Sequence, residues 1–161
     1  MVETSTEVGT MVELRLFQAG DEDAFRTLNE AWIEKLFTLE KHDREVLNDP
    51  AQYILNPGGQ IVVAVDSGRV VGCCGLMPIE PGVYEVAKMA VAEEYQGRGV
   101  GRKVLARTIE EGRAMGAKKL YLETNHTLEN AIHLYESLGF KHLPPADSPY
   151  ARADVFMEMW L

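Results

Sequence analysis

The chain has 161 residues, with 16 basic against 25 acidic side chains and a net charge of −9 at neutral pH. Its 46% apolar and 25% charged residues are ordinary globular usage, which excludes a collagen-like, low-complexity or disulfide-scaffold chain. The acidic balance argues against an extended nucleic-acid surface, because such surfaces draw their affinity from clustered Lys and Arg. No apolar run reaches the roughly 18 residues of a membrane span, so no membrane partner is expected.

Residues Met1–Met11 are small, polar and acidic and read as a flexible tail, leaving residues 12–161 as one domain. Glu13–Gln18 alternates and reads as a strand. Asp21 is an N-cap candidate for a helix carrying Phe25, Leu28, Trp32, Leu36 and Leu39 on one side. A charged helical stretch runs from Lys41 to Leu55 and stops at Asn56-Pro57-Gly58-Gly59. Gln60–Val65 is an apolar strand, and Asp66-Ser67-Gly68-Arg69 a hairpin turn into Val70–Met77. Pro78, Pro81 and Gly82 are expected to break the chain before the strand Val83–Val91. A helix over about Gly99–Met115, capped by Gly116, then leads to the strand Lys118–Thr124, giving a parallel crossover. A second helix over about Leu128–Leu138 ends at Gly139, before the short strands Phe140–Leu143 and Asp154–Trp160. The expected fold class is α/β, a single domain with a mixed sheet flanked by helices.

Adjacent cysteines, Cys73 and Cys74, point to opposite faces of a strand, and their spacing fits neither a zinc site nor a redox pair. They read as small buried side chains in a reducing cytoplasm. His42, His126, His133 and His142 show no metal-ligand spacing, and no metal is expected.

Gln96-Gly97-Arg98-Gly99-Val100-Gly101 lies between a strand and a helix. Helix N-termini expose unpaired N–H groups and a partial positive charge, and glycines let that backbone approach a phosphate closely. Arg98, Arg102 and Lys103 add formal charge there. Neither GxxxxGK[ST] nor GxGxxG fits, since the third glycine of the latter would fall on Arg102. Glu123, about twenty residues on, stands where a ribose-binding acid would in a nicotinamide enzyme, but the glycine spacing disagrees.

The same turn resembles the Q/R-x-x-G-x-G/A signature of the GNAT N-acetyltransferase superfamily. Glu85–Val91 looks like that family's central strand, and Asn130-Ala131-Ile132-His133-Leu134-Tyr135-Glu136-Ser137-Leu138-Gly139-Phe140 resembles its N-x-x-A-x-x-L-Y-x-x-x-G-F segment. The resemblance implies a GNAT fold and direct transfer of an acetyl group from acetyl-CoA to a primary amine of a small molecule or peptide. Cofactor contacts then fall on Met89, Ala90, Val91, Gln96, Gly97, Arg98, Gly99, Val100, Gly101, Arg102, Asn130 and Tyr135. Glu85 is placed as general base and Tyr135 as the acid for the leaving thiolate, with a backbone N–H near Met89 or Ala90 for the oxyanion.

Other readings of these residues stand beside those. Glu85 also reads as a solvated strand charge or a partner of Lys88, with Glu123 and Glu40 as alternative bases. Tyr135 also reads as a half-buried core side chain. On the acceptor side, Trp32, Glu40 and Glu123 are candidates, with Asp43, Tyr150, Arg152 and Asp154 behind them; Arg152–Asp154 also reads as a local ion pair. A non-catalytic acyl-CoA-sensing module is the alternative function, and a homodimer is compatible with the family.

Overall fold

The structure, a computed structural model, describes residues 11–161; the tail expected over Met1–Met11 lies outside them but for Met11. Seven strands form one mixed sheet in the order β1-β2-β3-β4-β5-β7-β6. They are β1 (Glu13–Leu16), β2 (Gln60–Asp66), β3 (Arg69–Glu80), β4 (Val83–Val91), β5 (Lys119–Thr124), β6 (Lys141–Leu143) and β7 (Val155–Trp160). The α-helices are α1 (Glu22–Leu36), α2 (Lys41–Asn48), α3 (Val100–Ala114) and α4 (Glu129–Leu138).

Helices cover both faces of the sheet, and β2 shows why its sequence is an unbroken apolar run. Successive side chains point to opposite faces: Ile61, Val63 and Val65 pack with Phe25, Val46 and Leu47 of α1 and α2. Val62 and Ala64 pack instead with Val100, Val104 and Leu105 of α3. Cys73 and Cys74 divide in the same way, are fully buried, and are free thiols. Burial pushes the Cys74 thiol up to about 12, which leaves it protonated and inert.

The strands from β1 to β4 pair antiparallel, and the turn between β2 and β3 is the two-residue loop Ser67-Gly68. Both residues have positive φ, +50° and +82°, the twist a tight hairpin requires. The crossover from β4 through α3 to β5 is parallel. No helix among the described residues is long and apolar enough to cross a membrane.

Four local expectations need correction. Asp21 holds the N-cap position of α1 but does not cap it with its side chain, because its carboxylate accepts from Arg15 at 2.7 Å and from the Gln18 N–H at 2.9 Å. Leu39 lies beyond the end of α1 at Leu36, although it still packs in the core with Phe25 and Val46. The helical stretch from Lys41 breaks at Asp49, whose φ of −148° and ψ of 69° reflect the restriction a following proline imposes; residues 51–55 form a separate π turn. Pro78 does not stop its strand. The pairing of β3 with β2 ends at Leu76, so Pro78 lacks an N–H only where no β2 partner remains, and β3 continues to Glu80.

Candidate active site

β4 and β5 pair only from Val83–Glu85 to Lys119–Tyr121. Beyond those residues the strands part, and a cleft of about 530 Å³ opens between them. Residues 85–91 of β4 form one wall, and residues 123–125 with the first turns of α4 the other. The sequence places β4 and α3 correctly; the early parting of the parallel pair makes the opening.

One end of the cleft is the start of α3. Gly97 and Gly99 have φ of +79° and +83°, values that favour glycine. A Cβ at either position would meet nothing within 4 Å, so the backbone bends outward into open space. Gly99 stands at the N-cap without a side-chain cap. The N–H groups of the first turn therefore keep their donors for another partner. Gln96 holds the turn to β4 by donating to the Val91 carbonyl at 3.0 Å. Gln96, Gly97 and Gly101 line the cleft. Arg98, Gly99, Val100 and Arg102 do not: Arg98 stacks over Tyr95 at 5.1 Å, Val100 is buried in the core, and Arg102 donates to Ser137 of α4 at 2.8 Å.

Glu85 is the last β4 residue paired with β5 and lines the cleft. Burial, with the carboxylate of Glu123 nearby, pushes its carboxyl up to about 7, against a smaller downward pull from Lys88. Glu123 lines the same space and accepts hydroxyl donors from Tyr121, at 2.9 Å, and from Ser148. Among the described residues, the ion pairs beside the cleft join Lys88, Asp43, Arg152 and Glu40 and leave out both Glu85 and Glu123.

Tyr135 of α4 joins both readings of the sequence. Its ring packs edge-on to Phe140 at 5.9 Å in the core, and the residue also lines the cleft. Its hydroxyl has no partner among the described residues, and no described side-chain N or O is both sealed and unpartnered; the hydroxyl therefore reaches the cleft. Burial raises its pKa, so it holds its proton at neutral pH. Asn130, Met89, Ala90 and Val91 line the cleft as well.

Beside Glu85, the cleft wall holds a cluster the sequence does not announce. Lys88 Nζ lies 2.8 Å from Asp43 Oδ1 and 2.9 Å from the Tyr150 hydroxyl. Arg152 grips the same carboxylate with two donors, at 2.8 and 2.7 Å. Burial alone would raise the Asp43 carboxyl, but these bonds hold it far below the usual carboxylate range. The expected Arg152–Asp154 pair does not form, since Asp154 binds His126 at 2.6 Å. Glu40 lies outside the cleft lining: its carboxylate accepts from the Ala151 N–H at 3.1 Å and anchors the loop that carries Arg152. Trp32 and Tyr150 do line the cleft, with Arg152 over both rings. The one hint in the sequence is Lys88 itself, a charge inside an otherwise apolar stretch of strand.

Comparison with known proteins identifies the family and the fold. A family model described as the acetyltransferase (GNAT) family matches residues 21–140. An uncharacterized N-acetyltransferase of Escherichia coli, YjgM, is 37% identical over 100 residues, 60% of each chain. An IAA acetyltransferase of Azospirillum brasilense is 36% identical over 66% of this chain and 71% of its own. Among solved structures, an acetyltransferase of the GNAT family from Staphylococcus aureus superposes with a TM-score of 0.82 at 19% identity, covering 92% of this chain and 98% of the other. The yncA structure from Salmonella typhimurium, solved with its cofactor acetyl-CoA, gives 0.74 at 21%, covering 92% and 93%. The chain thus spans about 60% of the E. coli relative. With a family match over most of its length, and the same fold in these solved structures, the chain belongs to the acetyltransferase (GNAT) family.

Proposed function

We propose that the chain is an N-acetyltransferase that uses acetyl-CoA and passes the acetyl group directly to a primary amine of a small molecule or peptide. The observation that carries this reading is Glu85, a carboxyl near neutral pKa, in the same cleft as the protonated Tyr135 hydroxyl and the open N-terminus of α3.

The site suits the coenzyme. A diphosphate needs several N–H donors and no obstructing Cβ, and the uncapped turn from Gln96 to Arg102 offers both. Asn130 on α4 and the β4 edge from Met89 to Val91 would hold the arm between the phosphates and the reacting end. Acetyl-CoA supplies an acyl thioester, already activated toward nucleophiles.

The remaining work is proton transfer and charge stabilisation. An alkylamine arrives as an ammonium with a pKa of about 10, and Glu85 accepts its proton directly or through water. A backbone N–H at Met89 or Ala90 donates to the carbonyl oxygen as negative charge gathers there. Tyr135 would donate its hydroxyl proton to the departing sulfur and regain one from the acylated nitrogen, which sheds its second proton as the amide forms. Trp32 and Glu123 bound the space for the acceptor.

Calorimetry with acetyl-CoA and a thiol-release assay over a panel of amines test the proposal together. Binding with release of free thiol is expected. Absence of coenzyme binding at millimolar concentration overturns it, and tight binding without transfer to any amine would establish the sensing module instead.

A further inference from the structure

The pairing of β3 with β4 slips at two places, near Pro78–Glu80 and near Cys73–Gly75; at the second, Cys73 pairs with Ala90 and Gly75 with Ala87, so Cys74 stands opposite both Lys88 and Met89. This is a β-bulge in β4, beside the part of the strand that lines the cleft. Its first residue, Lys88, has a φ of +58°; apart from the hairpin residue Ser67, it is the one described non-glycine residue with positive φ. An L-residue populates that region about 5- to 30-fold less readily than a right-handed one. Something must hold Lys88 there.

The side-chain clamp described above is placed to do so. Lys88 Nζ is fixed by Asp43 from α2 and by Tyr150 from the loop before β7. Asp43 is in turn fixed by Arg152. From the other side, the Cys73 thiol donates to the Lys88 carbonyl at 3.6 Å, and Cys73 accepts from Asn29 of α1 at 3.5 Å. Asn29 also accepts from the Trp32 indole at 3.2 Å, and Arg152 lies over that indole. The contacts close into a ring around one peptide unit, drawn from α1, α2, β3, β4 and the late loop.

We propose that Lys88, Asp43 and Tyr150 are positioning residues: the clamp on the Lys88 ammonium holds the backbone at residue 88 left-handed and so fixes the bulge that sets how the Met89 and Ala90 peptide groups face the cleft. The inference rests on the transferase reading for its consequence in catalysis, but not for its structural claim.

Two substitutions give opposite answers under this mechanism and the same answer under others. Lys88→Ala removes the clamp and leaves a residue that disfavours positive φ. Lys88→Gly removes the same side chain, but glycine takes the left-handed conformation freely. Arg152 still satisfies Asp43 in both variants. Crystal structures are expected to show residue 88 relaxed to negative φ in Lys88→Ala and still positive in Lys88→Gly. In the thiol-release assay kcat should fall about tenfold or more in Lys88→Ala and recover to within about threefold of wild type in Lys88→Gly, with acceptor KM moving little in either. Lys88→Met, which refills the space without charge, should behave as the alanine variant does. A positive φ retained at residue 88 in the crystal of Lys88→Ala overturns the inference, whatever the activity. So does a glycine variant no faster than the alanine one, the pattern of a lysine that acts directly on substrate or only stabilises the fold. Loss of coenzyme binding or of all transfer in the wild-type protein would strike the proposed function alone.

Discussion

Replacing Glu85 by Gln tests the proposed chemistry most directly. Burial and the neighbouring Glu123 lift this carboxyl from an ordinary 4.5 to about 7. A base with that pKa is about 9% ionised at pH 6 and about 91% at pH 8, so kcat/KM should rise about tenfold between them. Glu85→Gln keeps the shape, abolishes the base, and should cost about 10²- to 10⁴-fold in kcat. It should also flatten the rise between pH 6 and 8. Glu123→Gln removes only the second cause of the shift, so its profile should keep the rise but begin it at lower pH. Stability provides an independent reading. A pKa raised in the fold means the fold favours the protonated form; that stabilisation is complete below 4.5 and is lost as pH rises through about 7. Lifting the pKa that far corresponds to about 3 kcal/mol as an upper limit. Urea unfolding should therefore find Glu85→Gln more stable than wild type at pH 8, by up to that amount, and close to it near pH 4. Retention of both the rate and its pH dependence in Glu85→Gln would refute the base assignment, and unchanged stability at pH 8 would refute the buried-carboxyl argument.

Tyr135→Phe should lower kcat about tenfold or more while coenzyme affinity by calorimetry changes less than about threefold, because only a proton donor is removed. Gly101→Ala should act in opposite directions: the helix gains about 0.5–1 kcal/mol in urea unfolding, yet the added Cβ, 3.7 Å from Val91 and 3.9 Å from Leu134, narrows the cleft and weakens coenzyme binding. For the acceptor, Lys88 and Arg152 are already neutralised by Asp43 and Glu40, whereas Glu85 and Glu123 form no ion pair among the described residues. An amino-acid amide should then exceed the matching free acid in kcat/KM by about tenfold or more, and preference for the acid would show that Arg152 leaves its partners to bind it. Asp43→Asn at pH 7 leaves two cations facing a neutral group and should cost about 3–5 kcal/mol in urea unfolding. That penalty should shrink in acid, since a carboxyl depressed in the fold gives its stability above the ordinary carboxylate pKa and loses it as pH falls.

The parts of the fold legible in the sequence are those set by local rules. Period-two alternation marks β1, helical spacing marks α3 and α4, and Ser67-Gly68 and Gly139 mark their turns by the positive φ they supply. The glycine turn is legible for the same reason, because what it offers, positive φ and uncapped N–H groups, lies in the backbone. Where the reading failed, a partner outside the element itself decided. Asp21 is a good cap by type, but Arg15 competes for it. Pro78 breaks a strand by type, but the end of β2 makes its missing N–H harmless.

The acceptor side shows why residue type alone misleads near a site. Glu40, Asp43 and Arg152 each had the chemistry of an acceptor contact, and the chain brings them together across more than a hundred residues. Once together, they satisfy one another before any ligand arrives. Asp43 is fully buried, and a buried carboxylate is tolerated only when paired, so its two cations are fixed by Asp43 rather than offered to substrate. The carboxylates that form no ion pair among the described residues, Glu85 and Glu123, are those whose strands part at the cleft. Pairing therefore divides the charged residues of this region into two groups: in the proposed reaction one would hold the bulge, and the other would be left to bind and deprotonate an incoming ammonium. Under the proposed function, the net charge of −9 would act at the acceptor end through these two carboxylates in particular, while the opposite end would bind its anion through the backbone of α3.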